Sequence, residues 1–166
     1  MNGVEKYEAL LTEQTRNLGP DHPDTLTTKS NLADEYRDAG NLEKALETYE
    51  AVLTDRARVL GPDHPDTLTT RNKIAYTYSI AGNPLKAIDI YEAVLTDRIR
   101  VLGPDHPDTL SSRSDLAEAY SDAGKFQESI DMYETVLPDL TRVLGPDHPR
   151  TLAARGNLAY AYNTWG

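Results

Sequence analysis

Cysteine is absent from the 166 residues, which removes disulfides, thiolate zinc sites and thiol nucleophiles together. Positive charge is scarce: 17 Lys and Arg stand against 27 Asp and Glu, for a formal net charge of −10. Phosphate backbones are bound by clustered Lys and Arg, so nucleic acid is not an expected partner. No run approaches the ~18 consecutive apolar residues of a membrane span. The opening Met1-Asn2-Gly3-Val4-Glu5-Lys6 leads into no apolar signal core. No membrane partner is expected, and a cytoplasmic location is. Hydrophobic residues make up 39% of the chain, below the roughly 45–50% of globular domains, which points to an elongated shape with more surface per residue.

What the chain does have is repetition. Leu-Gly-Pro-Asp-His-Pro begins at Leu18, Leu60, Leu102 and Leu144, 42 residues apart each time, and residues 18–59 match 60–101 at 28 of 42 positions. Such a period marks a repeat architecture. Each period carries two helical patterns. The first runs from Pro23 to Ala39, with Leu26, Leu32, Ala33, Tyr36 and Ala39 on one broad face. The second runs from Leu42 to Val59, with Ala45, Leu46, Tyr49, Val52 and Leu53 as its apolar stripe. Gly40 suits the left-handed residue after a helix. Asn41 and Asn83 suit N-caps, Pro84 a first helical turn, and Gly61-Pro62 a chain reversal. Neither apolar face can be buried within one helix pair; stacking of neighbours buries them.

The order Tyr36, Gly40, Ala45, Tyr49 recurs as Tyr78, Gly82, Ala87, Tyr91 and as Tyr120, Gly124, Ser129, Tyr133. With the pairs Leu32-Ala33, Ile74-Ala75, Leu116-Ala117 and Leu158-Ala159, this spacing resembles the tetratricopeptide repeat (TPR) pattern. The 42-residue period resembles the longer subclass seen in kinesin light chains and many bacterial proteins, with a lengthened second helix. HEAT and armadillo repeats have similar lengths but do not predict this spacing. The resemblance implies an all-α, right-handed α-solenoid of stacked antiparallel helix pairs, a TPR-like superhelix with about eight helices. The expected division is a single array over 1–166: second helix of a partial repeat at 1–17, repeats at 18–59, 60–101 and 102–143, and first helix of a partial repeat at 144–166. Residues 4–18 align with 46–60, and 149–165 with 23–39, so an unpartnered helix is expected at each end, as in an excerpt from a longer array.

Three departures from the family pattern stand out. A bulky residue common before the Leu–small pair is Lys29, Arg71, Arg113 or Arg155 here; its stem can cover apolar surface while its head reaches water or a carboxylate. Pro138 replaces Thr54 and Thr96 inside a second helix, costing ~3 kcal/mol or more and predicting a kink or break near Glu134–Pro138. Trp165 replaces the small Ala39, Ala81 and Ala123, where it either caps the end or packs on a following helix.

Four histidines, His22, His64, His106 and His148, recur with the period. Equivalent positions on stacked helices lie no closer than ~8–10 Å, whereas two ligands of one zinc ion lie within ~4 Å, so they cannot share a metal. The expected role is helix capping by each His or the Asp before it, with Pro following. Carboxylate pairs such as Asp34/Glu35 and Asp21/Asp24 fall on helix surfaces or caps, and Glu43, Glu47, Glu50 and Asp55 read as a solvated face. No phosphate loop, Gly-x-Ser-x-Gly, His-Glu-x-x-His or dinucleotide fingerprint occurs. Neither an enzyme, a cofactor nor a metal is expected.

The resemblance places ligands in a concave groove lined by the first helices. Carried over residue by residue, the groove positions are Ser30, Asp34, Arg37 and Asp38; Asn72, Tyr76, Ser79 and Ile80; Ser114, Glu118, Ser121 and Asp122; and Gly156, Tyr160, Asn163 and Thr164. The spacing puts each set on one stripe of its helix. Of 14 differences between the first two repeats, eight fall at residues 29–38, while 18–28 are identical. A recognition surface produces that pattern; so does the drift of an exposed face. Acidic repeats (Asp34/Asp38, Glu118/Asp122) alternate with tyrosine repeats (Tyr76, Tyr160). A protein or peptide segment with basic and apolar residues is the expected partner. The terminal-carboxylate clamp of chaperone-type TPRs is not evident, since Ser30 and Asp34 hold its Lys and Asn positions. The expected function is therefore a non-catalytic binding scaffold, a module of a larger protein that resembles the recognition end of bacterial nucleotide-switch or regulatory arrays. The alternative is head-to-tail self-association through the end helices.

Overall fold

The computed structural model describes residues 2–166; residue 1, the start of the expected partial repeat 1–17, lies outside the described residues. Eight α-helices and no strand occur among them: α1 (Gly3–Leu18), α2 (Pro23–Asp38), α3 (Leu42–Val59), α4 (Pro65–Ile80), α5 (Pro84–Leu102), α6 (Pro107–Asp122), α7 (Phe126–Leu144) and α8 (Pro149–Trp165). First helices are α2, α4, α6 and α8; second helices are α1, α3, α5 and α7.

Each first helix opens in the same way. His22 Nδ1 accepts the Asp24 backbone N–H at 3.2 Å, and His64, His106 and His148 do the same two residues on at 3.1, 3.1 and 3.2 Å. The histidine itself is thus the cap, and an accepting Nδ1 places the neutral ring's proton on Nε2. Proline follows where a helix has no amide to satisfy. At the far end, Asn41 N–H reaches Tyr36 O at 2.8 Å and Gly40 N–H reaches Arg37 O at 2.9 Å. Gly40 at φ 80° permits this double closure, which uses up carbonyls the helix leaves open. Asn41 and Asn83 then cap α3 and α5 by accepting the Lys44 and Lys86 N–H groups, whereas Lys125 makes no side-chain cap for α7.

The chain divides into two compact units, residues 1–77 and 78–166. In the first, α1 packs on α2 and α2 on α3; in the second, α5 packs on α6, α6 on α7 and α7 on α8. The expected stripes supply the cores, except at Ala39, which caps the end of α2 and is exposed. In the second unit Leu110, Ala117, Tyr133, Val136, Leu140 and Ala154 form one buried cluster. Full burial of each larger apolar side chain contributes roughly 1.5–3 kcal/mol. Ser129 is buried where Ala45 and Ala87 are, and its hydroxyl has no partner.

Two findings depart from expectation, and a third concerns residues the sequence did not single out. No break occurs at Pro138: α7 runs uninterrupted from Phe126 to Leu144. The proline removes one backbone bond, while Tyr133, Val136 and Leu140 on the same helix remain buried, and that packing outweighs the loss. Asp55 is no simple solvated residue, because Lys29 Nζ binds it at 3.1 Å, as Arg113 binds Asp139 at 2.9 Å. Arg56 and Arg98 are buried at the second-helix core position that Leu140 fills in the third repeat. Arg56 donates to Thr70 Oγ1 at 3.0 Å and Asp66 O at 3.2 Å; Arg98 donates to Ser112 Oγ at 2.7 Å and Asp108 O at 3.0 Å. These bonds tie the end of a second helix to the following first helix. Burial lowers both arginine pKa values below the ordinary guanidinium range.

Candidate functional site

The first-helix stripe is described unit by unit. In residues 1–77 it is closed on itself around the hydroxyl of Tyr49, a residue whose ring is fully buried. Tyr49 donates a short hydrogen bond to Asp34, and Arg37 Nη1 reaches Tyr49 Oη at 3.2 Å and Asp34 Oδ1 at 3.0 Å. Lys73 Nζ completes the group at 2.6 Å from Asp34 Oδ2 and 3.3 Å from Ser30 Oγ. Arg37 also binds Asp38 at 2.9 Å and lies 5.5 Å from the centre of the Tyr76 ring. Two cations thus answer two carboxylates. Burial and the Asp34 hydrogen bond push the Tyr49 phenol far above its ordinary pKa. Ser30 is buried, Asp34 and Arg37 are half-buried, and Asp38 and Tyr76 are open to solvent. Asn72 is half-buried.

The equivalent socket in residues 78–166 surrounds Tyr133. Glu118 stands in the place of Asp34, Ser121 in that of Arg37 and Asn157 in that of Lys73, each 84 residues on. Neither cation is present at these positions. Asn157 Nδ2 donates to Tyr133 Oη at 3.0 Å. The carboxylate is joined by Asp115 and Asp122, and the opposing charge is Arg150, whose Nη1 lies 3.3 Å from Asp115. Glu118 keeps contact with solvent, yet the surrounding protein withholds much of its hydration. That desolvation, then the nearby Asp122 and Asp115 charges, raise its pKa above the ordinary carboxylate range, with Arg150 opposing. Ser79 Oγ donates to Asp122 at 2.9 Å, and Ser114 Oγ turns back onto Leu110 O at 3.3 Å. Tyr160 is 61% exposed, Ile80 is 46% exposed, and Gly156, Asn163 and Thr164 are also open. Trp165, at 57% exposure, does not bury itself as an end cap.

Sequence reasoning missed Tyr49, Tyr133, Lys73 and Asn157 as members of these sockets. A signal was present: the position of Lys73 and Asn157 reads Asn31, Lys73, Asp115, Asn157 along the chain, as varied as any stripe position. Among the described residues no group of three or more His, Cys, Asp or Glu is placed to hold a metal ion, and no helix is long and apolar enough to cross a membrane.

Helix pairs joined by short glycine turns, with apolar stripes packed together within each unit, define a helix-pair repeat protein of the α-solenoid class. The tetratricopeptide repeat family profile matches residues 2–56, 36–96 and 74–140, and the chain belongs to that family. A crystal structure of a Podosopora anserina protein assigned to the kinesin light chains, with nearly identical TPR-like repeats, matches at 31% identity and a TM-score of 0.77, over 96% of this chain and 76% of that one. A variant of that same protein matches at the same identity and coverage, with a TM-score of 0.78. The crystal structure of BtubC (BKLC) from P. vanneervenii reaches a TM-score of 0.80 at 23% identity, over 99% of this chain and 67% of that one, a likeness of fold. The sequence has no match among curated proteins. TPR arrays are scaffolds that generally mediate protein–protein interactions.

Proposed function

We propose that the chain is a non-catalytic peptide-binding scaffold, and that the first helices α6 and α8 hold a segment carrying Lys or Arg beside apolar residues. The observation that supports this is the pair of sockets. Around Tyr49 the acidic residue is satisfied by Arg37 and Lys73; around Tyr133 the same positions hold Glu118, Ser121 and Asn157. A partner's guanidinium or ammonium takes up the place that the protein's own cations fill in the other unit. The exposed Tyr160 ring offers a flat apolar and cation–π face on the same stripe. On the first unit, the stripe residues Ser30, Asp34, Arg37, Asp38, Asn72 and Tyr76 offer polar contacts and the Tyr76 ring, with the acidic charge already answered from within. In this reading the repeats are the units 18–59, 60–101 and 102–143, with partial repeats on either side.

Fluorescence anisotropy with labelled peptides of mixed Lys/Arg and Leu/Phe content, against acidic peptides of equal length, tests the proposal. Ser121→Arg together with Asn157→Lys imports the cations of the other unit. Binding of the basic peptides is expected to fall at least tenfold in that variant, and to weaken with salt in the parent chain. Equal binding of acidic peptides, or basic-peptide binding indifferent to the double variant, overturns the assignment.

A further inference from the structure

We propose that the cationic side chain taken by α6 and α8 is an arginine, its guanidinium seated on Glu118 and Asp122 and stacked on the ring of Tyr160. It rests on the peptide-site reading of these two helices and narrows the cation to one chemistry. The template is Arg37, which shows what holds a guanidinium on this stripe. Its Nε and Nη2 lie 3.0 and 2.9 Å from Asp38 Oδ1, and its Nη1 lies 3.0 Å from Asp34 Oδ1 and 3.2 Å from Tyr49 Oη. Its Cζ is 5.5 Å from the centre of the Tyr76 ring. At 84 residues further on, Asp34, Asp38, Tyr49 and Tyr76 become Glu118, Asp122, Tyr133 and Tyr160. Three are the same residue and the fourth is still a carboxylate. The group they held is gone, because Ser121 stands where Arg37 would be. A bare acidic cluster would say little about a ligand; here the equivalent groups are seen holding a guanidinium in the other unit.

The cation that opposes these carboxylates does not take the arginine's place. Arg150 binds Asp115 at 3.3 Å from the first turn of α8, ten residues and roughly 15 Å along the helix axis before Tyr160. Tyr133 Oη accepts from Asn157 at 3.0 Å, which leaves Glu118, Asp122 and the Tyr160 face to a partner. Glu118 and Asp122 are exposed and Tyr160 is 61% exposed, so a side chain reaches all three from solvent. The open ring belongs to the position: Tyr76, its counterpart on α4, is itself 46% exposed. Arginine suits the seat better than lysine. A planar guanidinium has enough donors to meet two carboxylates one helical turn apart while its face lies on a phenol ring, whereas an ammonium is a compact, strongly hydrated point charge. A guanidinium there also offsets the Asp122 and Asp115 charges that, after desolvation, raise the Glu118 pKa.

Anisotropy titrations with labelled peptides identical except for one central residue between leucines, Arg, Lys or the uncharged citrulline, test the assignment. The Arg peptide is expected to bind about five- to tenfold more tightly than the Lys peptide, and the citrulline peptide more weakly than either. Tyr160→Leu, on an exposed ring and with helicity checked by circular dichroism, is expected to weaken the Arg peptide about three- to tenfold and to narrow its lead over Lys. Asp122→Asn is expected to weaken both charged peptides. Ser121→Arg alone refills the seat from within and is expected to abolish the preference. Equal affinity for the Arg and Lys peptides, or a lead for Arg that survives both Tyr160→Leu and Ser121→Arg, overturns the arginine seat and leaves the broader peptide-site reading standing. Binding of neither basic peptide overturns both.

Discussion

The sockets around Tyr49 and Tyr133 are built on equivalent helices at the same repeat positions, yet they solve different problems. In residues 1–77, Asp34 is bound by Tyr49, Arg37 and Lys73, and its charge serves the fold. In residues 78–166, Glu118 sits beside Asp115 and Asp122 with its pKa raised, and its charge works against the fold. A repeat protein can hold its framework constant and change three residues, so that an internally paired carboxylate in one unit becomes, in the other, one that lacks both of those cations. Sites are commonly less stable than the scaffold that carries them, because interactions left for a partner are missing in the free protein.

The largest expected difference between the units lies in their second helices. Pro138→Thr restores in α7 the residue that α3 has at Thr54, together with the missing backbone bond, and is expected to stabilise the chain by up to about 3 kcal/mol in urea unfolding. Changing Arg37→Ser with Lys73→Asn converts the first socket to the second type. It leaves a half-buried carboxylate without its cations and is expected to cost about 2 kcal/mol, less than for a fully buried pair because water still reaches Asp34. The same variant is expected to gain a second site for basic peptides, read as a doubled stoichiometry by calorimetry. Tyr49→Phe removes a hydroxyl bonded to a carboxylate and is expected to lose about 1.5 kcal/mol; Tyr133→Phe removes an amide contact and is expected to lose about 0.5 kcal/mol. Equal losses would erase the distinction between the sockets.

The smallest effect has the opposite sign. The folded-state pKa of Glu118 lies above its unfolded value, so the native state holds the proton more tightly and stability falls as pH rises through that interval. Glu118→Gln is expected to stabilise the chain at pH 7 by a few tenths of a kcal/mol, since solvent screens the group. The gain shrinks as pH drops through the raised value and vanishes below the unfolded carboxyl pKa of about 4.3. Asp139 behaves oppositely: Arg113 lowers its pKa, with Arg142 adding to the effect, so its contribution is complete above the unfolded carboxyl value and is lost as pH falls through the lowered one. Urea midpoints at pH 7 and pH 4 for the parent chain, Glu118→Gln and Asp139→Asn separate the two.

Local order along the chain was enough to name the helices. The recurring Gly-Pro-Asp-His-Pro turn, the Tyr–Gly–small–Tyr spacing and the apolar periods mark each start, stop and buried stripe, because caps, glycine turns and helical faces depend on residues within a few positions of one another. Choosing between His22 and Asp21 as the cap needed coordinates, since either side chain can serve, and Asp21 proved to be engaged by Arg58, 37 residues away. Pro138 shows the limit from the other side: local propensity predicts a kink or break, and α7 continues unbroken past it with the rest of its apolar stripe buried. The socket around Asp34 was beyond local reading altogether. Lys73 comes from the following first helix, Tyr49 from the following second helix, and only packing of the pairs brings an ammonium within 2.6 Å of a carboxylate 39 residues away. Sequence by itself determined the repeat, its helices and the stripe on which a site can form. Tertiary structure decided which charges on that stripe are already answered, because Coulombic and hydrogen-bond partners are set by distance in space, and the repeat period alone does not give the reach of a side chain.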